Sequence, residues 1–410
     1  MISGAAPPQD AVVNRNSSPT AAAWAPPSRR TWLWLGLSTW IVPLLVISVI
    51  VGLRPLNRTV TPLYHEAAAN WWSRQPLYQG PSGMNYLPPF ALLFTPFHLL
   101  PLVAAEILWR WTAAAGLAGG LWLMLRRTTD AAAVRAFALS SLAVAPLTMA
   151  ALRNGQANAH FAAALLLAAA GLAHGRWWLA AVCLALSLAI KPLGLAALGL
   201  AIMVFPPVGG RLALGTLVLL LLPFACAPTS YAHTQYADAW RNLSQCAAVT
   251  EHRFADLNGL LRTFGAPLAG TASLLVRGLA GIAFAAGCWF AGRRLNSNSQ
   301  ALLWLAAATA YLMLFNPMTE ANSYVILAPA LGLWAWHFAE TGRPRLAWTL
   351  AAMLLSMGLL PNLVRPWLGN AFALAWHPAM TLVFLAVVFW ETTTGHGRGS
   401  TAQPASWEPA

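Results

Sequence analysis

Apolar residues run in long blocks along this chain, separated by short polar breaks. Twelve blocks predict helices: 32–53, 103–125, 134–152, 157–173, 177–190, 193–205, 211–227, 270–292, 300–316, 322–338, 345–361 and 374–391. A helix of about 20 apolar residues crosses a bilayer and satisfies its own backbone hydrogen bonds. The expected fold class is therefore all-α, a polytopic transmembrane helical bundle of about twelve spans with short interfacial helices in its outer loops. Segment 87–100 is apolar but short and broken by prolines. Reading it as an interfacial or re-entrant helix leaves both termini on one side.

That choice places Arg29, Arg30, Arg126, Arg127, Arg135, Arg176, Arg211, Arg293, Arg294, Arg343 and Arg345 together on the cytoplasmic face, as the positive-inside rule requires. Four polar segments then share the outer face: 54–86, the turn RNGQAN at 153–158, the loop 228–269, and NPMTEANSY at 316–324. Residues 1–31 and 392–410 read as disordered cytoplasmic tails around a membrane domain at 32–391. The run 32–53 is too long and too far from the start for a cleaved signal.

Composition agrees. The chain is 58% hydrophobic and 9% charged, against about a quarter charged in soluble domains. A net charge of +13 raises nucleic acid as a partner, but the arginines are scattered between apolar runs and form no basic stripe. No nucleic-acid binding is expected. Four dispersed cysteines, Cys183, Cys226, Cys246 and Cys288, give neither a disulfide framework nor a metal motif. No metal ligand cluster is evident, so the expected cofactors and metals are none.

With so few acids, each can be weighed. Asp10, Asp130, Glu340, Glu391 and Glu408 fall at the cytoplasmic side or in tails, where a solvated role is expected. Glu106 and Arg110 form an i,i+4 pair that neutralises itself on one helix. Glu66, Asp238, Glu251, Asp256 and Glu320 remain outside. Glu66 follows Tyr64 and His65 in TPLYHEAAANWW, and 66–72 reads as an interfacial helix carrying Trp71 and Trp72. Glu66 is either a solvated surface acid or a base that meets a polar group delivered from lipid. In RNGQAN, Asn154 and Gly155 suit turn chemistry, whereas Arg153 is a cation against the charge bias.

The chain's only lysine, Lys191, stands in LAIKPLGLA at 188–196. A lysine at the centre of a span costs roughly 2.5–3.5 kcal/mol, and Pro192 favours a helix break beside it. Lys191 either snorkels to the interface or binds a phosphate at membrane depth, with Arg153, Arg241 and Arg253 able to add charge.

Taken in order, LYHEAAANWWSRQPLYQGPSGMNYLPPFALLFTPFHLLP (63–101), NGQANAHFAAALLLAAAGLAHGRWWLAAVCLALSLAIKPLG (154–194), FADLNGLLRTFG (254–265) and NPMTEANSYVILAPALGLW (316–334) resemble glycosyltransferase family 87. These are GT-C integral-membrane mannosyltransferases. The resemblance implies an inverting enzyme at the outer face of the inner membrane. It would move a hexose, mannose, from a polyprenyl-phosphate donor to a lipid-linked or glycan acceptor. Where the family carries an aspartate before its first tyrosine, this chain reads RTVTPL, and Glu66 is the nearest substitute. The implied catalytic set is Glu66, Tyr64 and His65. Lys191, Arg153, Arg241 and Arg253 would hold the donor phosphate. Gln156, Asn158, Tyr78, Tyr86, Asn258, Glu320 and Asn322 would contact sugar or acceptor, although Tyr78 and Tyr86 suit interfacial anchoring equally. Expected partners are membrane lipid, donor and acceptor, with the protein a monomer. The competing readings are a transporter or flippase for a lipid-linked or anionic substrate, and a degenerate transferase kept as a binding or scaffold protein.

Overall fold

The protein is described by a computed structural model over residues 27–79, 84–126, 130–247, 254–369 and 371–394. Most of both expected tails, together with Arg127, Glu251 and Arg253, lies outside these residues. Sixteen α-helices follow one another: α1 (Arg29–Leu53), α2 (Thr61–Trp72), α3 (Pro89–His98), α4 (Leu102–Leu125), α5 (Asp130–Arg153), α6 (Asn158–Ala173), α7 (Trp177–Ile190), α8 (Leu195–Val204), α9 (Gly209–Cys226), α10 (Thr229–Ala247), α11 (Leu257–Thr263), α12 (Gly270–Gly292), α13 (Ser297–Phe315), α14 (Ala328–Glu340), α15 (Pro344–Leu368) and α16 (Ala371–Thr394). No strand occurs among the described residues. The molecule is an all-α polytopic bundle.

Seven helices, α1, α5, α9, α12, α13, α15 and α16, are long and apolar enough to cross a membrane by length and composition, and α6, α7 and α8 are shorter apolar helices. Every predicted apolar block is helical, with ends within a few residues of expectation apart from α15, which continues to Leu368. Residues 87–100 form only the ten-residue α3, roughly 15 Å long and too short to span.

Helix α6 sits at the centre, buried along nearly its whole length, with α4, α7 and α13 against it. Small residues permit this approach. A Cβ on Gly116 would stand 2.8 Å from the Ala163 Cβ, and one on Gly171 would stand 2.8 Å from the Ala180 backbone nitrogen. Close backbone approach takes the place of a hydrophobic drive between helices in lipid. The outer helices keep apolar side chains exposed, such as Val46 and Val49 on α1 and Leu279 and Ile282 on α12.

Three expectations are corrected, and one expected phosphate ligand is placed on the surface. The helix expected over 66–72 begins at Thr61, and Trp71 is fully buried against Tyr231, leaving Trp72 as the exposed indole. Period 3.6 sends neighbouring residues to different faces, so both tryptophans cannot share one surface. The polar loop 228–269 contains α10, an amphipathic helix whose Ala232, Gln235 and Ala239 face inward. Glu391 is buried rather than solvated, and it pairs with Arg343. Arg241, expected to meet phosphate, is exposed on α10 and pairs with Asp238 at 2.6 Å.

Candidate active site

The four polar segments expected on one face meet at one end of the bundle. The Val60 N–H donates to the Asn154 carbonyl at 3.0 Å, joining the first segment to the RNGQAN turn. The Ala255 N–H donates to the Thr319 carbonyl at 2.6 Å, joining the loop before α11 to the turn after α13. The Asn158 amide donates to Ser323 Oγ at 3.1 Å, and the Gln156 amide donates to Glu320 Oε2 at 3.3 Å.

A buried charged frame holds the turn. Arg110 Nη1 pairs with Glu106 Oε2, while its Nε and Nη2 donate to the Arg153 carbonyl at 3.3 and 3.0 Å. Thr59 Oγ1 accepts from Arg110 Nη2 and donates to Glu106. The pair read as self-neutralising thus also fastens two outer segments to α4. Gly155 is required here: its φ is 61°, and a Cβ would meet Thr61 Cγ2 at 2.8 Å and Arg110 Nη2 at 3.0 Å.

Tyr64 projects from α2 into this frame and is buried. Its hydroxyl accepts from the Ala157 N–H at 3.1 Å and lies 2.9 Å from the Tyr86 hydroxyl. Burial pushes the Tyr64 phenol up to about 12 and that of Tyr86 well above its ordinary value. Both therefore stay protonated near neutrality and serve as hydrogen-bonding groups rather than bases. The Leu87 N–H donates to the Ala189 carbonyl, which brings the Tyr86 segment to the end of α7, two residues from Lys191.

Lys191 breaks the helix between α7 and the 3-10 turn Pro192–Gly194, as Pro192 requires. The carboxylate of Glu320 acts electrostatically on Lys191, Tyr64 and Tyr86. Glu320 itself is exposed. A carboxylate held by Gln156, two phenols and the chain's only lysine thus belong to the region where the polar segments converge.

The other expected site residues lie partly around this junction and partly apart from it. Glu66 is exposed, and it is not among the charges acting on Tyr64 or Lys191. Two residues along a helix turn the side chain by about 200°, so Tyr64 and Glu66 leave α2 on different faces. His65 packs on Phe94 at 5.0 Å, beside His98 of α3 at 5.7 Å. Tyr78 donates to the Tyr86 carbonyl at 2.7 Å and fixes that segment. The Asn258 amide bonds the Leu268 N–H and carbonyl, closing its own loop. Asn322 is half-buried in the 3-10 turn Ala321–Ile326 beside Ser323. Arg153 is half-buried, and its Nε has no hydrogen-bond partner.

The family model of glycosyltransferase family 87 matches residues 85–317, more than half of the chain. The chain belongs to glycosyltransferase family 87. No curated protein matches it. The family 87 match encloses Tyr86, Arg110, Gln156, Asn158 and Lys191, and it ends three residues before Glu320. Sequence reasoning had placed Glu320 among the acceptor contacts. Its distance of 164 residues from Gln156 hid the hydrogen bond that orients it.

Proposed function

We propose that this family 87 glycosyltransferase moves mannose from a polyprenyl-phosphate donor to a lipid-linked or glycan acceptor at the outer face of the inner membrane. The acceptor hydroxyl gives its proton to Glu320, and its oxygen attacks the anomeric carbon. The bond from that carbon to the phosphate oxygen breaks with inversion, and polyprenyl phosphate leaves with the bonding electrons. Negative charge thus moves from the Glu320 carboxylate to the leaving phosphate. Lys191, first balanced by Glu320, gains its new partner as the reaction advances. A fixed cation there stabilises the transition state more than the ground state. Tyr64 and Tyr86 hold the floor of the site through their hydroxyl pair.

The observation that carries this reading is the junction at which the Gln156 amide orients the Glu320 carboxylate, while the Leu87–Ala189 bond brings the Tyr64–Tyr86 hydroxyl pair to the helix end beside Lys191. The membership in a glycosyltransferase family supplies the reaction class. Glu320 replaces Glu66 as the proposed base because its carboxylate is held at the segment junction by the Gln156 amide, whereas Glu66 is exposed on another face of α2 from Tyr64.

The test is mannose transfer from a polyprenyl-phosphate mannose by purified protein in detergent, where no gradient can drive transport. Transfer by the unaltered chain is expected, with Lys191→Met lowering turnover about 100-fold or more while remaining monodisperse. Failure of the unaltered chain would reject the donor. Near-normal turnover in Lys191→Met would reject the lysine's role.

A further inference from the structure

Glu320 is exposed, and the bond from the Gln156 amide at 3.3 Å is its side chain's one hydrogen bond among the described residues. A single bond of that length does not fix a carboxylate. Its placement therefore falls to the turn that carries it. That turn leaves α13 at Phe315 and runs into the 3-10 helix Ala321–Ile326. It is closed locally by three bonds. The Asn316 amide donates to Thr319 Oγ1 at 3.2 Å, Thr319 Oγ1 donates to the Asn316 carbonyl at 2.9 Å, and the Ser323 N–H donates to the Glu320 carbonyl at 2.9 Å. Met318 takes a φ of 61° within it, a conformation that the surroundings must enforce.

The surroundings centre on Ala255. Its N–H donates to the Thr319 carbonyl at 2.6 Å, on one side of Glu320, and its carbonyl accepts from the Tyr324 hydroxyl at 2.7 Å, on the other. Both ends of the turn thus hang on one residue, and Ala255, Thr319 and Tyr324 are all fully buried. Ala255 is held in place by its own neighbours. Asp256 caps α11 by accepting from the Gly259 N–H at 2.7 Å, and a Cβ on Gly259 would collide with the Phe254 carbonyl oxygen. The Tyr324 ring packs on His377 of α16, with ring centroids 4.6 Å apart. His377 Nε2 lies 3.1 Å from the Met357 carbonyl, which Pro361 deprives of a helical partner.

A phenylalanine ring would fill this core position as well as tyrosine does. The hydroxyl adds the bond to Ala255 and a contact with Thr381. We propose that Tyr324 is a positioning residue for the transfer reaction: its hydroxyl locks the turn onto Ala255 and so holds the Glu320 carboxylate at the junction. This rests on the reading of Glu320 as the base. Tyr324 is fully buried and acts through the turn, not on the reacting atoms.

Tyr324→Phe removes one oxygen and keeps the ring. Tyr311→Phe is its control, since the Tyr311 hydroxyl likewise donates to a backbone carbonyl, that of Arg277 on α12, at 3.1 Å. Hydrogen–deuterium exchange of the full chain in detergent reads the turn, and transfer from polyprenyl-phosphate mannose reads the chemistry. In Tyr324→Phe the amides of 316–326 should exchange about tenfold faster. Its kcat should fall about tenfold or more, with the donor KM unchanged. Tyr311→Phe should leave the turn and the turnover as they are. On a Glu320→Gln background, Tyr324→Phe should bring no further loss, because no carboxylate is left to place. Unchanged exchange or unchanged turnover in a monodisperse Tyr324→Phe overturns the inference, as does an equal further loss on the Glu320→Gln background. Full turnover in Glu320→Gln itself rejects the base, and the positioning role with it, even where exchange shows the turn loosened.

Discussion

At the arginine-bearing end of the bundle, reversals are short and local: residues 174–176 link α6 to α7, and 341–343 link α14 to α15. Each turn uses a positive-φ glycine, Gly175 or Gly342, whose surroundings are open. At the other end, segments far apart in sequence are pinned to one another through Arg110, Tyr64, Asn158 and Gln156. Arg58, Arg74 and Met318, the positive-φ residues other than glycine among the described residues, all lie at that second end. Reversing a chain between spans needs little chemistry. Convergent polar groups and unfavourable backbone indicate that this end is shaped for a task, since such conformations persist only where surroundings over-determine them.

The contrast can be broken most severely at its two buried ion pairs. Arg110→Met leaves the Glu106 carboxylate buried without its counter-charge, and Arg343→Met does the same to Glu391. Each should cost about 3–5 kcal/mol in stability, read as lower yield and melting temperature. Only Arg110 also holds the Arg153 carbonyl and Thr59. Arg110→Met should therefore lose transfer in the protein that survives, whereas surviving Arg343→Met keeps its turnover per folded molecule.

A smaller effect separates two glycines. Gly155→Ala and Gly175→Ala share a strained φ, of 61° and 65°, worth about 1–2 kcal/mol. A Cβ at 155 also strikes Thr61 and Arg110, while at 175 the nearest atom is 3.8 Å away on Trp177. Thermal unfolding should show Gly155→Ala to be the more damaging, and only it should reduce transfer.

The smallest effect concerns pH. Burial, and then the neighbouring His98 imidazole, hold His65 below its ordinary value of 6.5. The unfolded chain then binds the proton more readily, so stability falls as pH drops through 6.5 toward the lower folded value. Melting temperatures measured between pH 7 and 5 should decline for the unaltered chain. The decline should flatten in His65→Phe.

The helices were largely legible because membrane-spanning runs announce themselves by length and apolarity. α10 was not, since its inward Ala232, Gln235 and Ala239 repeat at helical spacing within a polar segment and resemble a loop on hydropathy alone. The convergence of the four polar segments followed from counting crossings, and the bonds Val60–Asn154 and Ala255–Thr319 show it in the structure. The acid now proposed as base is not the one the sequence favoured. Proximity to Tyr64 in sequence favoured Glu66, but helical rotation places it on another face. Glu320 reaches the cluster through a turn that sequence distance conceals.

Glu66 and Glu320 therefore divide the account most sharply. Single-turnover transfer from polyprenyl-phosphate mannose, measured on monodisperse Glu320→Gln and Glu66→Gln, compares them directly. Loss of the general base should slow Glu320→Gln by about 10²–10⁴-fold and leave Glu66→Gln close to the unaltered rate. A fast Glu320→Gln alongside a dead Glu66→Gln would contradict the assignment and return the base to α2.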